Sequence, residues 1–92
     1  MDREWTIYDS TGVTAKAVVS KLEYNGTYKG DRYLSVTVNS PYPINFQIGD
    51  TLTYRGDEFA VTVIPAAKRQ AASGANGTAI VYEGIRLKST IS

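Results

Sequence analysis

The side chains that most often perform catalysis or bind metals are scarce in this chain of 92 residues. It has no histidine and no cysteine, so it lacks the commonest general base and the thiolate nucleophile. The carboxylates occur singly apart from the pair Asp57-Glu58, and none has calcium-loop spacing. The serines lack a neighbouring base of the kind that activates a nucleophile: Ser10, Ser20, Ser35 and Ser73. We therefore predict no enzyme activity, no metal site and no cofactor.

Several short motifs have a functional and a structural interpretation. Arg55-Gly56-Asp57 spells a cell-adhesion tripeptide, but Gly-Asp is also what a hairpin turn needs, and the turn is strongly favoured. Asn25-Gly26-Thr27 and Asn76-Gly77-Thr78 match glycan acceptors, yet no secretion signal precedes them and turns account for both. Lys68-Arg69 is a dibasic element that could contact a partner or a phosphate, and a solvated loop is favoured.

The size and charge of the chain further restrict its possible partners. Ten basic and nine acidic residues give a net charge of +1, so no overall field attracts nucleic acid or an anionic membrane. The basic residues are interspersed with acids rather than forming a stripe: Lys16, Lys21, Lys29, Arg32, Lys68, Arg69, Arg86 and Lys88. The apolar runs are too short to cross a bilayer. We predict one domain, residues 1–92, that binds no nucleic acid and has no membrane segment.

A β-hairpin is predicted over residues 51–64, because apolar residues alternate strictly on both sides of a turn. A two-residue turn at Gly56-Asp57 would pair Tyr54 with Phe59 and Leu52 with Val61, placing all four on one buried face. Arg55 would then pair with Glu58 on the other face.

Further strands are predicted on each side of this hairpin. Trp5–Tyr8 forms a short strand, and Leu34, Val36 and Val38 share one face of a strand over residues 32–39. A three-residue loop, Tyr28-Lys29-Gly30, would pair that strand with the preceding run, with Tyr24 opposite Leu34 and Leu22 opposite Val36. Other apolar alternations are Ile44, Phe46 and Ile48, then Ile80 and Tyr82, then Ile85 and Leu87 after a β-bulge at Glu83-Gly84. The chain is therefore all-β, a small barrel or split barrel of six to seven mostly antiparallel strands.

Residues 65–79 form the exception, since no apolar side chain larger than alanine follows Pro65. A short helix at 65–73 is possible, with Pro65 at its first turn and Gly74 at its end. A mobile loop or extended hairpin arm is slightly favoured, because a short helix without an apolar face is marginal. Within this segment we predict a partner interface at Lys68, Arg69 and Gln70.

The seven tyrosines allow a second function. Tyr24, Tyr54 and Tyr82 fall on inward faces, where they would pack with their hydroxyls at the rim. Tyr8, Tyr28, Tyr33 and Tyr42 are not placed by the pattern. Several of them on one exposed face would form an aromatic platform for a ligand.

The stretch from about residue 15 to 90 resembles the N-terminal domain of prophage tail-tip or hub proteins. The resemblance lies in Pro41-x-Pro43-Ile44, in Phe46-x-Ile48-Gly49-Asp50, in Tyr54–Phe59 and in Gly77–Leu87. Where family members often carry a Gly-Glu turn, this chain has Gly56-Asp57-Glu58.

This resemblance implies an assembly protein rather than an enzyme. It implies that the chain is the N-terminal domain of a longer tail protein, made in the bacterial cytoplasm and located in the virion tail. Its partners would be other copies, as a trimer or ring, and neighbouring tail proteins. The alternative is a small β-barrel binding module that recognises glycan or peptide through surface tyrosines. A nucleic-acid-binding barrel is the weaker third interpretation.

Overall fold

The chain folds as one antiparallel sheet that curls into a half-barrel. The computed structural model describes residues 5–71 and 78–91, and these contain strands, turns and loops but no α-helix. The strands are β1 (Thr6–Tyr8), β2 (Ala15–Val18), β3 (Lys21–Tyr28), β4 (Asp31–Ser40), β5 (Thr51–Tyr54), β6 (Asp57–Val63), β7 (Lys68–Ala71) and β8 (Thr78–Ser89). The predicted all-β class is confirmed, with eight described strands instead of six or seven.

Strand β8 pairs with three other strands, β4, β6 and β7. The order across the sheet is β2-β1-β5-β6-β8-β4-β3. Strand β4 pairs with one edge of β8 from Tyr33↔Lys88 to Ser40↔Ile80. The other edge pairs first with β7, over Thr78–Val81, and then with β6, over Arg86–Ser89. Strands β6 and β7 therefore lie end to end along one side of β8.

The two end strands of the sheet, β2 and β3, are joined at one corner. Between them, the Val19 N–H donates to the Trp5 carbonyl at 2.9 Å and the Ser20 N–H donates to the Thr37 carbonyl at 2.8 Å. The chain thus passes directly from one end of the sheet to the other at Val19-Ser20. Beyond this corner β3 pairs only with β4 among the described strands, so the barrel stays open on that side.

The inner face of the half-barrel holds one apolar core. The predicted alternation is confirmed in β4, in Phe59 and Val61 of β6, and on each side of the bulge in β8, where every second side chain points inward. The buried cluster consists of Ile7, Val19, Leu34, Val36, Val38, Phe46, Leu52, Phe59, Val61, Ile80, Tyr82, Ile85 and Leu87. The predicted bulge at Glu83-Gly84 is also present: Thr37 pairs with Glu83 and Val36 with Ile85, which leaves Gly84 as the extra residue. Gly84 has a φ of +86°, a conformation that glycine adopts without strain.

The register predicted for the β5–β6 hairpin is wrong by two residues. Leu52 pairs with Phe59 and Tyr54 with Asp57, so the turn residues are Arg55 and Gly56 rather than Gly56 and Asp57. Glu58 therefore lies opposite Thr53 and does not pair with Arg55. A shift of two residues keeps every side chain on its predicted face. Phe59 and Leu52 are fully buried as expected, and Tyr54 packs partly buried against the core.

The β3–β4 hairpin has the predicted pairs but a different turn. Tyr24 lies opposite Leu34 and Leu22 opposite Val36, as expected. The loop, however, contains two residues, Lys29-Gly30, because Tyr28 pairs with Asp31. The length difference is absorbed by a β-bulge at Asn25, between the pairs Tyr24↔Leu34 and Gly26↔Tyr33.

The remaining segments differ from the predicted strand and helix. Ile44, Phe46 and Ile48 lie in an irregular loop over residues 41–50; Phe46 is buried and Ile48 is exposed. The described part of the segment 65–79 is not helical. Residues 64–67 are irregular, and β7 forms a hairpin arm with the start of β8, in the register Lys68↔Val81 to Ala71↔Thr78. Residues 72–77, and with them the end of the possible helix at 65–73, lie outside the described residues.

Candidate functional site

Two turns of the half-barrel have nearly the same sequence, and an ion pair between Arg32 and Asp57 connects the strands that follow them. Tyr28-Lys29-Gly30-Asp31 joins β3 to β4, and Tyr54-Arg55-Gly56-Asp57 joins β5 to β6. In both turns the two central residues have positive φ, 52° and 85° in the first and 51° and 78° in the second. Positive φ at both central positions defines the type I′ turn, whose twist matches that of the flanking strands.

Each turn holds a cation over its own tyrosine. The Lys29 Nζ lies 5.5 Å from the centroid of the Tyr28 ring, and the Arg55 guanidinium carbon lies 5.5 Å from that of Tyr54. These distances are within the range of cation–π attraction. Lysine and arginine rarely adopt positive φ, because the left-handed conformation costs roughly 1–2 kcal/mol for a residue with a side chain. The two turns impose this conformation on Lys29 and Arg55.

The first cavity, which we call the mouth, opens between β3 and the second turn. It has a volume of about 460 Å³ and is lined by Tyr24, Arg32, Tyr54, Arg55, Gly56, Asp57, Phe59 and Ile91. The rings of Tyr24 and Tyr54 stack across it, with centroids 6.5 Å apart and planes inclined by 24°. Tyr24 is half exposed, so the ring pair presents an aromatic surface to a ligand.

An ion pair forms the polar side of the mouth. Arg32 Nη2 lies 2.6 Å from Asp57 Oδ2, and the Ser89 hydroxyl lies 3.2 and 3.3 Å from the two oxygens of that carboxylate. The buried Arg32 Nε has no hydrogen-bond partner within the described chain. Arg32 and Asp57 thus neutralise each other within the mouth.

The second cavity, the outer pocket, lies on the opposite face of the sheet. It has a volume of about 480 Å³ and is lined by Asn25, Tyr28, Tyr33 and Arg86. Arg86 pairs across the sheet with Ser35 and so points away from the core, as Tyr33 does. Both cavities combine two tyrosines with arginine, and these residue types are enriched in protein–protein interfaces.

The bulge at Asn25 is the reason that β3 supplies a tyrosine to each cavity. Tyr24 and Tyr28 are four residues apart and would lie on the same face of a regular strand. The extra residue reverses the alternation, so Tyr24 faces the mouth and Tyr28 faces the outer pocket.

The predicted interface residues lie on the arm, away from both cavities. Lys68 and Arg69 are exposed, and Gln70 occupies the β7 position opposite Ala79. Lys68 Nζ lies 3.6 Å from Glu83 Oε1, and both side chains are about two-thirds exposed. An exposed pair of this kind contributes little to stability and leaves both charges accessible to solvent.

Two aspartates serve structure instead of chemistry. The Asp9 carboxylate accepts hydrogen bonds from the Thr11 hydroxyl at 2.7 Å and from the Val13 and Thr14 N–H groups, and these bonds lower its pKa to about 2. Asp50 is buried and its Oδ2 accepts from the Gln47 N–H at 2.7 Å and from Lys16 Nζ at 3.0 Å. Both carboxylates hold irregular backbone in place.

The cell-adhesion interpretation of Arg55–Asp57 does not fit this geometry. Asp57 begins β6, and its carboxylate is paired with Arg32 with little solvent exposure. The signal that does identify the site is the repeated pattern Tyr-(Lys/Arg)-Gly-Asp at residues 28–31 and 54–57. The repeat is visible in the sequence only when the two turns are compared with each other.

No protein-family model, no curated protein and no solved structure matches this chain. Within residues 5–71 and 78–91, no three or more carboxylate, histidine or cysteine side chains gather as a metal site would require. The same residues include no helix of the length and apolar character needed to span a membrane. The features that could recognise a partner are thus the arm, the mouth and the outer pocket.

Proposed function

We propose that this domain is a structural component of a phage or prophage tail tip, forming a ring-like hub by contacts between copies and with neighbouring tail proteins. The observation that carries this proposal is the arm. The arm consists of β7 and the part of β8 that pairs with it, residues 68–71 and 78–81. It bears the exposed cations Lys68 and Arg69, and Lys68 forms an ion pair with Glu83, two residues further along β8.

The arm suits assembly because its outer edge is available. Among the described strands β7 pairs only with β8, so the backbone groups on its other edge have no strand partner. A strand edge of this kind pairs readily with a strand of another chain. The molecule is also elongated, with extents of 44 × 26 × 20 Å, a shape suited to lateral contacts in a ring.

The arm contributes to the fold through one edge of β8 only. Where β7 pairs with Ile80 and Val81, β4 pairs with the same residues from the other side, through Ser40 and Asn39. Deleting residues 68–76 should therefore leave the domain folded, with a cooperative melting transition, while reducing its assembly into rings. Analytical ultracentrifugation and negative-stain electron microscopy measure the assembly, and circular dichroism measures the melting.

A charge-reversal pair provides the matched control. Lys68 and Lys21 each form an exposed ion pair with a glutamate, at 3.6 and 3.4 Å, with similar exposure. Lys68→Glu should weaken ring formation, and Lys21→Glu should not. A chain that remains monomeric at all concentrations, or rings that persist after the deletion, would contradict the assembly proposal. Unfolding of the deletion variant would show that the arm is an integral part of the fold.

The second candidate function is a binding module that recognises glycan or peptide through surface tyrosines. The two tyrosine-lined cavities favour it, since each joins an aromatic surface to an arginine, and each volume is in the range of about 300–1,000 Å³ found for ligand sites. Such binding leaves the arm unused, so the arm variants separate the two functions.

A further inference from the structure

We propose that the outer pocket binds a carboxylate-bearing sugar unit of an acidic saccharide. Arg86 bonds the carboxylate, and the rings of Tyr28 and Tyr33 contact the apolar face of the sugar. This inference rests on the second candidate function, for which it names the class of ligand. It depends neither on the arm nor on the mouth.

The first support is the charge of Arg86. Its side chain is exposed on the outer face, and no ion pair joins its guanidinium to any residue that the structure describes. The acidic residues that β3, β4 and β8 place on the same face each have a lysine partner: Glu23 with Lys21 at 3.4 Å, Asp31 with Lys88 at 3.3 Å and Glu83 with Lys68 at 3.6 Å. The three strands that form the pocket therefore leave its positive charge available to an anion.

The geometry of the guanidinium favours a carboxylate as this anion. The planar guanidinium donates two parallel N–H bonds to the two oxygens of a carboxylate. Phosphate groups are typically bound by clusters of arginines, whereas Arg86 is the one arginine among the residues that line this pocket. A singly charged carboxylate is therefore the better match.

The second support is the accessible surface of the two tyrosine rings. Tyr28 is 64% exposed, although the Lys29 Nζ lies 5.5 Å from the centroid of its ring. Tyr33 lies opposite Gly26, where an added Cβ would meet no atom within 4 Å, so no side chain from that position covers the ring. The partly negative face of an aromatic ring attracts the partly positive C–H groups on one side of a sugar ring.

The polar groups of the pocket favour a saccharide over a peptide. Asn25 offers an amide that both donates and accepts, and each tyrosine offers a hydroxyl, so the lining can bond several sugar hydroxyls. Peptides that bind to sheets gain much of their affinity from backbone pairing. Beneath the pocket, β4 is paired with β3 on one edge and with β8 on the other, so its backbone has no free edge for a peptide.

The probes are defined hexasaccharides of glucuronate, galacturonate, mannuronate, guluronate and sialic acid, each with its methyl ester as the matched neutral ligand. Each is titrated by calorimetry against the whole 92-residue domain. At least one acid should bind more tightly than its ester. Amide chemical-shift mapping with that acid should show the largest changes around Asn25, Tyr28, Tyr33 and Arg86.

Arg86→Gln tests the contact between the guanidinium and the carboxylate. The parent domain should bind the acid about tenfold more tightly than the ester, the usual effect of a charge-assisted hydrogen bond. In Arg86→Gln this preference should vanish, while the ester binds as it does to the parent. A merely structural role of Arg86 would instead weaken both ligands equally. Arg86→Lys keeps the charge without the planar guanidinium and should retain only part of the preference.

Tyrosine variants test the contact with the sugar ring. Tyr28→Ala and Tyr33→Leu should each weaken the acid and the ester alike, by about fivefold or more, the usual effect of truncating an anchor residue. Tyr42→Ala is the control, because Tyr42 is 63% exposed, close to the 64% of Tyr28, and does not line the pocket. Thermal melts of all variants confirm that they are folded.

The proposal is overturned if no acidic hexasaccharide binds, if the esters bind as tightly as the acids, or if Arg86→Gln leaves the preference unchanged. It is also overturned if a sulfated hexasaccharide, an oligonucleotide or an acidic peptide binds this pocket and the carboxylated sugars do not. A neutral saccharide or a peptide bound through the tyrosines would still support the second candidate function. None of these results changes the expected behaviour of the arm variants.

Discussion

Phe59 shows how much of this fold depends on single side chains. It is fully buried, and it lies opposite Leu52 on β5 and opposite Ser89 on β8, so it joins three strands. Phe59→Ala should lower the free energy of unfolding by about 3–5 kcal/mol. Val63→Ala, on the exposed part of the same strand, should change it by less than about 0.5 kcal/mol. Urea unfolding of the two variants measures both values, and equal effects would contradict this placement of the core.

A single residue, Asp9, makes the stability of the domain depend on pH. Its pKa falls from 3.8 to about 2 chiefly because the Thr11 hydroxyl bonds the ionised form, with further bonds from the Val13 and Thr14 amides. Since the unfolded chain binds the proton more tightly, the stabilising effect is complete above about pH 4 and is lost as the pH falls towards 2. Asp9→Asn should be less stable than the parent at neutral pH. Thermal melts from pH 7 to 2 should show this difference shrinking below about pH 4; a constant difference would refute the role of the carboxylate.

At the scale of elements, the loop over residues 41–50 is held in place by an ion pair between Lys16 and Asp50. Lys16 Nζ donates to the Asn45 carbonyl at 2.9 Å and to Asp50, so β2 holds the loop across the sheet. Asp50→Asn removes the charge from a buried carboxylate that accepts two bonds, and it should cost about 2 kcal/mol. Glu23→Gln, which breaks the exposed pair with Lys21, should cost less than about 0.5 kcal/mol. Chemical denaturation measures the free energy of unfolding of both variants, and similar decreases would disprove the role of the Lys16–Asp50 ion pair.

The two hairpins show which part of an element is predictable from its residues. The buried faces follow from alternation, and Leu52, Phe59, Leu34 and Val36 all lie where the pattern places them. The exact turns do not follow, because alternation is compatible with more than one loop length and glycine position. The predictions place Gly56 first in a two-residue turn and Gly30 last in a three-residue loop, whereas each is the second residue of a two-residue turn. In both turns a lysine or arginine precedes the glycine at positive φ. The compensating gain, a cation over an adjacent tyrosine, depends on the folded turn.

The candidate site was less predictable than the fold for a similar reason. Strand alternation predicts inward, packed positions for Tyr24 and Tyr54. Tyr54 packs partly buried against the core, whereas Tyr24 lies opposite the buried Leu34 but is 49% exposed. The outward position of Tyr28 requires the bulge at Asn25, which the sequence marks only with the common turn pair Asn25-Gly26. The meeting of the two turns through Arg32 and Asp57 is a long-range contact that local patterns do not contain.

At the scale of the whole molecule, the half-barrel separates two possible partner surfaces. The arm extends from one end of β8, and the mouth lies at the end where β8 finishes beside β6. The arm and the mouth therefore lie towards opposite ends of β8.

The central position of β8 also has a mechanical consequence. A neighbour that pulls on the arm along the direction of β8 applies its force parallel to the strand. The eight residue pairs between β4 and β8 then resist in shear, so their hydrogen bonds must yield together and not one after another. Strands β6 and β7 share this force on the opposite edge. The strand that carries the arm is thus the one best anchored against extraction, and a pull at right angles to it would peel it away at much lower force.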